Sequence, residues 1–535
     1  MSQPNPNLWW HSGTIYQIYP RSFQDSNGDG IGDLAGIKQR LDYLEWLGVD
    51  AIWISPFFPS PMADFGYDVS DYCAIHPMFG SMEDFDRLLG ACHDRGIRVV
   101  LDLVPNHTSD QHAWFKESRA SRDNPKRDWY IWHDPADDGG PPNNWLSVFG
   151  GSAWERDEAS GQYYYHAFLK EQPDLNWRNP DVRQAMFDVM RFWFDRGVDG
   201  FRIDVLWHVI KDARFRDNPK NPDYEPSEVP YEQLLPTYST DQPEALEVAE
   251  EMRAVADEYD ERVLIGEIYL PIDRLVAYYG QEQEGVHLPF NFQLLTRPWN
   301  AREIDRAINE YEGSLPDAGW PTWVLGNHDK SRIASRIGSA QARVAAVLLL
   351  TLRGTPTMYY GDELGLQDVV IPPELMQDPQ GLRISHEFSR DPQRTPMPWD
   401  SSEGSGFTSA TPWLPLNADA EERNVAMQRE SPQSMLAFYR RLLALRRERP
   451  ALSVGSYRPF EADGDVIAFV REDAGKQVAA VLNLGGKPQQ VEFGRYAGNV
   501  LLGTHPDREG EQVTGQFQLR PNEAVIIDID SAPSH

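Results

Sequence analysis

Seven short apolar runs, set between stretches of helical periodicity, constrain this chain more than any other feature. They fall at residues 14–19, 51–55, 98–104, 200–205, 263–268, 320–325 and 356–360. Runs of that length suit buried strands, and the intervening segments are long enough for crossover helices. In one of them Leu34, Ile37, Leu41, Leu44 and Leu47 recur at three- and four-residue steps, so they share one helical face, with Gly48 as its stop. Alternating β and α units predict a parallel sheet, open or closed into a barrel.

The alternation is interrupted between residues 105 and 173, where Gly139-Gly-Pro-Pro142 and a tyrosine run stand among few helical patterns. A long irregular stretch inside a compact fold is usually functional when it is ordered. A shorter one covers residues 219–242, and after Pro450 the pattern changes to short β-like runs. The expected division is a first core segment at 1–104, an insertion at 105–173, the rest of the core at 174–449 and an antiparallel β domain at 450–535. No fixed-period repeat or low-complexity tract is present.

The chain carries 82 acidic against 50 basic residues, a formal net charge of −32. Such a surface repels nucleic-acid backbones and anionic membranes, and leaves a neutral or cationic small molecule as the natural ligand. No apolar run approaches the roughly 18 residues of a membrane span. The N-terminus lacks a basic, then apolar, secretory pattern. Cys73 and Cys92 form no CxxC pair, so a cytoplasmic, disulfide-free protein is expected, as a monomer or small homo-oligomer. No nucleotide-binding or serine-hydrolase motif occurs, and no organic cofactor is expected. His93, His112 and His166 lack metal-ligand spacing.

The ends of the proposed strands hold the chemistry. Asp102 with Asn106-His107 follows one, Arg202 and Asp204 close the next, Glu267 another, and Asn327-His328-Asp329 another. Carboxylates in apolar strands are costly unless paired, so packing does not explain the set. In a (β/α)₈ barrel such ends converge on one face. Cleaving a glycosidic bond with retention requires one ionised carboxylate as nucleophile and a second, still protonated, as acid. Arg202, two residues before Asp204 and on the same strand face, is placed to keep it ionised.

The segments Asp102-Leu-Val-Pro-Asn-His107, Gly200-Phe-Arg-Ile-Asp204, Gly266-Glu267 and Asn327-His-Asp329 resemble the four signature regions of glycoside hydrolase family 13, the α-amylase family. Gln172-Pro-Asp-Leu-Asn-Trp177 resembles a further motif of its oligo-1,6-glucosidase side. The resemblance implies a (β/α)₈ TIM barrel with a B domain inserted after strand 3 and a C-terminal antiparallel β domain. It implies Asp204 as nucleophile, Glu267 as acid/base and Asp329 as transition-state stabiliser. Asp64, Tyr67, His107, Arg202 and His328 would line the terminal-glucose site, with Phe149 and Phe168 as walls. Arg394 resembles an arginine that caps this pocket, with Arg390 as the alternative. A pocket so closed implies an exo-acting α-glucosidase on di- and oligosaccharides. Val205 resembles the α-1,6 pattern, although Leu206-Trp207-His208 departs from it. Relatives that transfer or isomerise glucosyl groups share the catalytic set, and non-catalytic relatives lack it.

Asp25-Ser-Asn-Gly-Asp-Gly-Ile-Gly-Asp33 places oxygen donors at alternating positions, as hard cations require. Gly36 stands where an EF-hand loop has its glutamate, so that motif is excluded. The family resemblance implies a structural Ca²⁺ or Mg²⁺ held by Asp25, Asn27, Asp29, Asp33 and the Ile31 carbonyl. A solvated Asp/Gly turn is the alternative.

Overall fold

The computed structural model describes residues 8–529. Eight parallel strands form one sheet: β1 (Ile15–Ile18), β2 (Ala51–Ile54), β3 (Arg98–Leu103), β7 (Gly200–Ile203), β8 (Val263–Ile268), β9 (Leu288–Asn291), β10 (Thr322–Val324) and β11 (Thr355–Tyr359). Their order, β10-β11-β1-β2-β3-β7-β8-β9, brings the two ends side by side in a nearly closed (β/α)₈ barrel. Between β3 and β7 the chain forms a small antiparallel sheet of β4 (Trp132–His133), β5 (Trp154–Arg156) and β6 (Tyr163–Tyr165), with β6 in the middle. After the barrel, β12 (Ser456–Phe460), β13 (Val466–Asp473), β14 (Lys476–Asn483), β15 (Gln489–Gly503), β16 (Gln512–Leu519) and β17 (Ala524–Ile529) make an antiparallel sheet.

The barrel strands are buried along their length, as expected of a parallel sheet covered by helices on the outside and filled within. Helix Pro180–Asp195 shows how the outer layer is specified. Asn179 caps it through the Asp181 N–H, a proline opens it, and Val182, Met186, Val189, Met190 and Trp193 are buried at helical spacing. This helix delivers the chain into β7. There Gly200 meets β8 so closely that an added Cβ would lie 2.5 Å from the Val263 carbonyl oxygen. Only glycine lets the strands leading to Asp204 and Glu267 approach at this spacing.

Two expectations are corrected. The periodic stretch from Leu34 is two helices, Leu34–Gln39 and Leu41–Leu47, because Arg40 (φ −102°, ψ 8°) leaves the helical region. Arg40 extends its guanidinium over the Trp399 ring, 4.2 Å from the centroid. Gly48 does end the second helix, at φ 95°. The other correction is β9, absent from the seven sequence runs because it contains Pro289. Proline marks edge strands, and β9 is the last strand of the hydrogen-bonded ladder.

Among the described residues no helix is long and apolar enough to cross a membrane.

Candidate active site

A cavity of about 730 Å³ opens where the barrel strands end. The register of β3 and β7 sets its floor, since Asp102 and Arg202 are cross-strand partners and therefore project to the same face. Arg202 Nη1 lies 2.7 Å from Asp102 Oδ1 and 2.7 Å from Asp204 Oδ1, and its Nη2 lies 2.7 Å from Glu267 Oε2. One buried guanidinium thus serves three carboxylates. The Val205 N–H also donates to Glu267 Oε2 at 2.9 Å, tying the two acids through one peptide. Val205 reaches this position with φ 37° and ψ 46°. A β-branched residue there is strained by about 1–3 kcal/mol, as is common where a site over-determines the backbone.

Burial raises the pKa of Asp204 and of Glu267, and the Arg202 charge opposes the rise in both. Asp102 is pushed up to about 6 by burial, again against Arg202. A single cation cannot balance three ionised neighbours in a low dielectric, so the cluster retains a proton well above the usual carboxylate range. Asp329 differs. Burial disfavours its charge, but His328 and the guanidiniums of Arg390 and Arg394 outweigh that and hold it well below the ordinary value.

Hydrogen bonds link much of the remaining wall. Tyr67 Oη donates to Asp102 at 3.1 Å and meets His328 Nε2 at 2.7 Å, while the Gln17 amide nitrogen lies 2.8 Å from His328 Nδ1. Burial drives His328 well below its ordinary pKa, against the pull of Asp329. At the far end, Arg390 Nη2 lies 2.7 Å from Asp64 Oδ1 and its Nη1 3.2 Å from Asp329 Oδ1. Asp378, fully buried, takes Arg390 Nε and Nη2 at 3.0 and 2.7 Å and fixes that arginine.

Residues 17–455 match the model of the alpha-amylase catalytic domain. The chain belongs to the α-amylase family. A probable alpha-glucosidase of Rhizobium meliloti is 45% identical over 502 residues, covering 91% of each chain. An oligo-1,6-glucosidase of Heyndrickxia coagulans is 40% identical over 98% of this chain and 99% of its own. The solved structure of an alpha-glucosyl transfer enzyme, XgtA, superposes with a TM-score of 0.93 at 43% identity, over 99% of this chain and all of that one. The protein is a glycoside hydrolase of this family.

Within this family member, the cavity brings together Asp64, Tyr67, His107, Phe149, Phe168, Asp204, Val205, Glu267, His328 and Asp329. Arg202 sits beneath them. Of the two arginines the sequence left open, Arg390 lines the cavity and pairs with Asp64. Arg394 lies one layer back, its Nε on the His328 carbonyl at 2.8 Å and its Nη2 on Asp329 at 2.9 Å. Trp207 and His208, which the sequence marked only as a departure from the α-1,6 pattern, also line the cavity, as does Tyr269, which sequence reasoning passed over. Tyr269 had a signal, since it stands two residues after Glu267. Asp378 had none. Val229, Tyr231 and Glu232, from the second irregular stretch, also line the cavity.

The Asp25–Asp33 loop lies elsewhere, between helices Pro20–Phe23 and Leu34–Gln39. Most of its oxygens engage the loop itself: Asp25 Oδ1 accepts from the Asn27 and Gly28 N–H groups, Asn27 Oδ1 from Asp29 N–H, and Asp29 Oδ1 from Ile31 N–H, while Asp25 Oδ2 also accepts from the Thr408 hydroxyl. Asp33 caps the following helix through Gly36 N–H and also accepts from Ser26. The donor set is all oxygen, a composition that fits a hard cation. Among the described residues no three His, Cys, Asp or Glu side chains converge as a metal cluster.

Proposed function

We propose that the protein is a retaining, exo-acting α-glucosidase that releases glucose from the non-reducing end of short α-glucosides, with a preference for α-1,6 linkages. The observation that carries this reading is the buried Arg390–Asp64 pair, which closes the lining of the cavity beside the acids. A pocket closed there admits one terminal sugar and leaves no path for a polymer to run through.

Arg202 engages Asp204 Oδ1, leaving Oδ2 to attack the anomeric carbon as its bond to the departing oxygen breaks. Glu267 Oε2 accepts from Val205 N–H and Arg202, so its proton sits on Oε1 and passes to the leaving oxygen. The same carboxylate then removes a proton from the water that attacks the glucosyl-enzyme, and Asp204 is released. Asp329, held ionised by its arginines, strengthens its bonds to sugar hydroxyls as the ring flattens. Val205 supports the α-1,6 preference through its resemblance to the oligo-1,6-glucosidase pattern.

The Asp25–Asp33 loop, in this reading, holds a structural Ca²⁺ or Mg²⁺ through Asp25, Asn27, Asp29, Asp33 and the Ile31 carbonyl. The ion would cross-link the loop and take no part in the reaction.

The test is the initial rate of glucose release from isomaltose and from maltose at equal concentration, with the anomer followed by NMR. Release of α-glucose supports retention, and β-glucose refutes it. Faster isomaltose cleavage supports the linkage preference, and faster maltose cleavage reverses it. A second reading, glucosyl transfer or isomerisation, is favoured by the likeness to the alpha-glucosyl transfer enzyme. Sucrose or maltose converted mainly to a rearranged or longer sugar would establish it in place of hydrolysis.

A further inference from the structure

A buried lysine stands behind the terminal-sugar pocket and touches none of its acids. Lys211 is 4% exposed. Its ammonium lies 2.7 Å from Asn106 Oδ1 and is ion-paired with Asp174. Asn106 Nδ2 stands 2.8 Å from Asp174 Oδ2 and 3.1 Å from His107 Nδ1. His107 lines the cavity, and its Nε2 lies 3.1 Å from the Tyr67 carbonyl oxygen and 3.0 Å from the Gln172 amide nitrogen.

The donor inventory of this chain leaves one solution. An ammonium has three protons to give and no lone pair. The end of the Asn106 amide that faces it must therefore be the oxygen. The other end, an NH₂ group, then faces Asp174 and His107 Nδ1 and can only donate. His107 Nδ1 must accept, which puts the single ring proton on Nε2. Neither the opposite tautomer nor the imidazolium fits beside that NH₂ group.

We propose that Lys211 is a positioning residue which, through Asn106, locks His107 as the neutral Nε2–H tautomer, so that the ring keeps its proton on the Tyr67 carbonyl oxygen and holds one fixed orientation in the terminal-sugar pocket. The proposal rests on the terminal-glucoside reading of the pocket. Gln172 supports it. The Leu169 N–H fixes Gln172 Oε1 at 3.1 Å, so its amide nitrogen faces the pocket and Asp64 Oδ2 at 3.3 Å. With the ring proton on Nε2, the Gln172 amide, 3.0 Å away, gives its protons to Asp64 and to the pocket and none to the ring. Burial, with the Lys211 charge acting in the same direction against Asp174, brings His107 down to about 4. The ring consequently stays neutral wherever the acids are competent.

The lock can be read without turnover. In the full chain labelled with ¹⁵N-histidine, long-range NMR distinguishes protonated from bare ring nitrogens, and the His107 signals are assigned by their loss in His107→Gln. The wild type should show the proton on Nε2. Asn106→Asp is nearly isosteric, keeps an oxygen for Lys211, and offers a second oxygen to His107. It should move the proton to Nδ1 or protonate the ring, and lower kcat/KM on isomaltose about tenfold, the usual cost of one misdirected neutral hydrogen bond. Lys211→Met, which frees the Asn106 amide to turn, should show both tautomers. A wild-type proton on Nδ1, or an Asn106→Asp protein that keeps it on Nε2, overturns the lock. A switched tautomer with unchanged kcat/KM overturns its role in sugar binding. Failure of the wild type to cleave any α-glucoside would instead defeat the functional reading, while the NMR result would still decide the lock.

Discussion

Arg390 Nη2 lies 2.7 Å from Asp64 Oδ1, although 326 residues separate the two in the chain. The contact joins the loop after β2 to the long segment after β11. Both side chains are almost fully buried in the lining of the cavity. Breaking such a pair leaves an uncompensated charge where the terminal sugar is to bind.

Arg390→Met should therefore raise KM for disaccharides roughly 10- to 100-fold, the scale of one or two charge-assisted hydrogen bonds. Asp378→Asn should give a smaller rise, because Arg390 keeps Asp64 and Asp329 but loses the carboxylate that fixes its Nε. Steady-state kinetics on isomaltose check both. An Arg390→Met enzyme with unchanged KM, alongside an impaired Arg394→Met, would move the capping role back to Arg394.

Glu267 is raised above the usual glutamate range by burial, so the acid limb of catalysis should extend towards neutral pH. The activity depending on its proton is present below the raised pKa and lost as pH climbs through it. Glu267→Gln should abolish that alkaline limb and cut kcat on isomaltose about 10²- to 10⁴-fold. An activated aryl α-glucoside, whose leaving group needs no proton, should be far less affected in the first step. A pH–rate profile of the variant that keeps the wild-type alkaline limb would assign it to another group.

The sequence and the structure agree most closely where one residue type serves both the fold and the chemistry. Asp102, Arg202, Asp204 and Glu267 were legible because charge at the end of an apolar strand has few explanations. Barrel strands were legible as short, mostly apolar runs set between helical patterns. Pro289 hid β9, because an edge strand tolerates what an interior one does not. Arg390 against Arg394 was not legible: both lie in one short irregular segment, and only the long-range contact with Asp64 distinguishes them. Trp207 and His208 were seen only as a departure from a pattern, since no periodicity states which way a short 3₁₀ turn points its rings.

Chelation should act on the fold and spare the chemistry if the Asp25–Asp33 loop holds a cation. Exhaustive chelator treatment should lower Tm by several degrees, restored by Ca²⁺ or Mg²⁺, with KM unchanged for the enzyme that remains folded. Asp29→Ala should remove the metal response without touching the helix cap made by Asp33. Calorimetry with and without chelator, paired with metal analysis, checks this. Equal melting temperatures and no bound metal would leave the loop as a self-bonded turn.

Arg202 offers a test of how the three acids are held. Asp102, at about 6, binds its proton more tightly in the folded chain than in the unfolded one, and Asp204 and Glu267 are raised in the same direction. An acid raised in this way contributes stability below its unfolded value, near 4, and that contribution is lost as pH rises through the folded value. Arg202 limits the loss by attracting the charged forms. Arg202→Met should raise all three further and extend the loss to higher pH. The variant should therefore be only slightly less stable than wild type at pH 5, where protons neutralise the cluster. By pH 8 the gap should reach about 3–5 kcal/mol, the scale of a buried charge left without its partner. Denaturant unfolding at three pH values between these limits measures it. A gap that does not change with pH would mean that Arg202 acts through packing against Trp53 and Tyr67, whose rings it also overlies at 5.0 and 5.9 Å, and not through its charge.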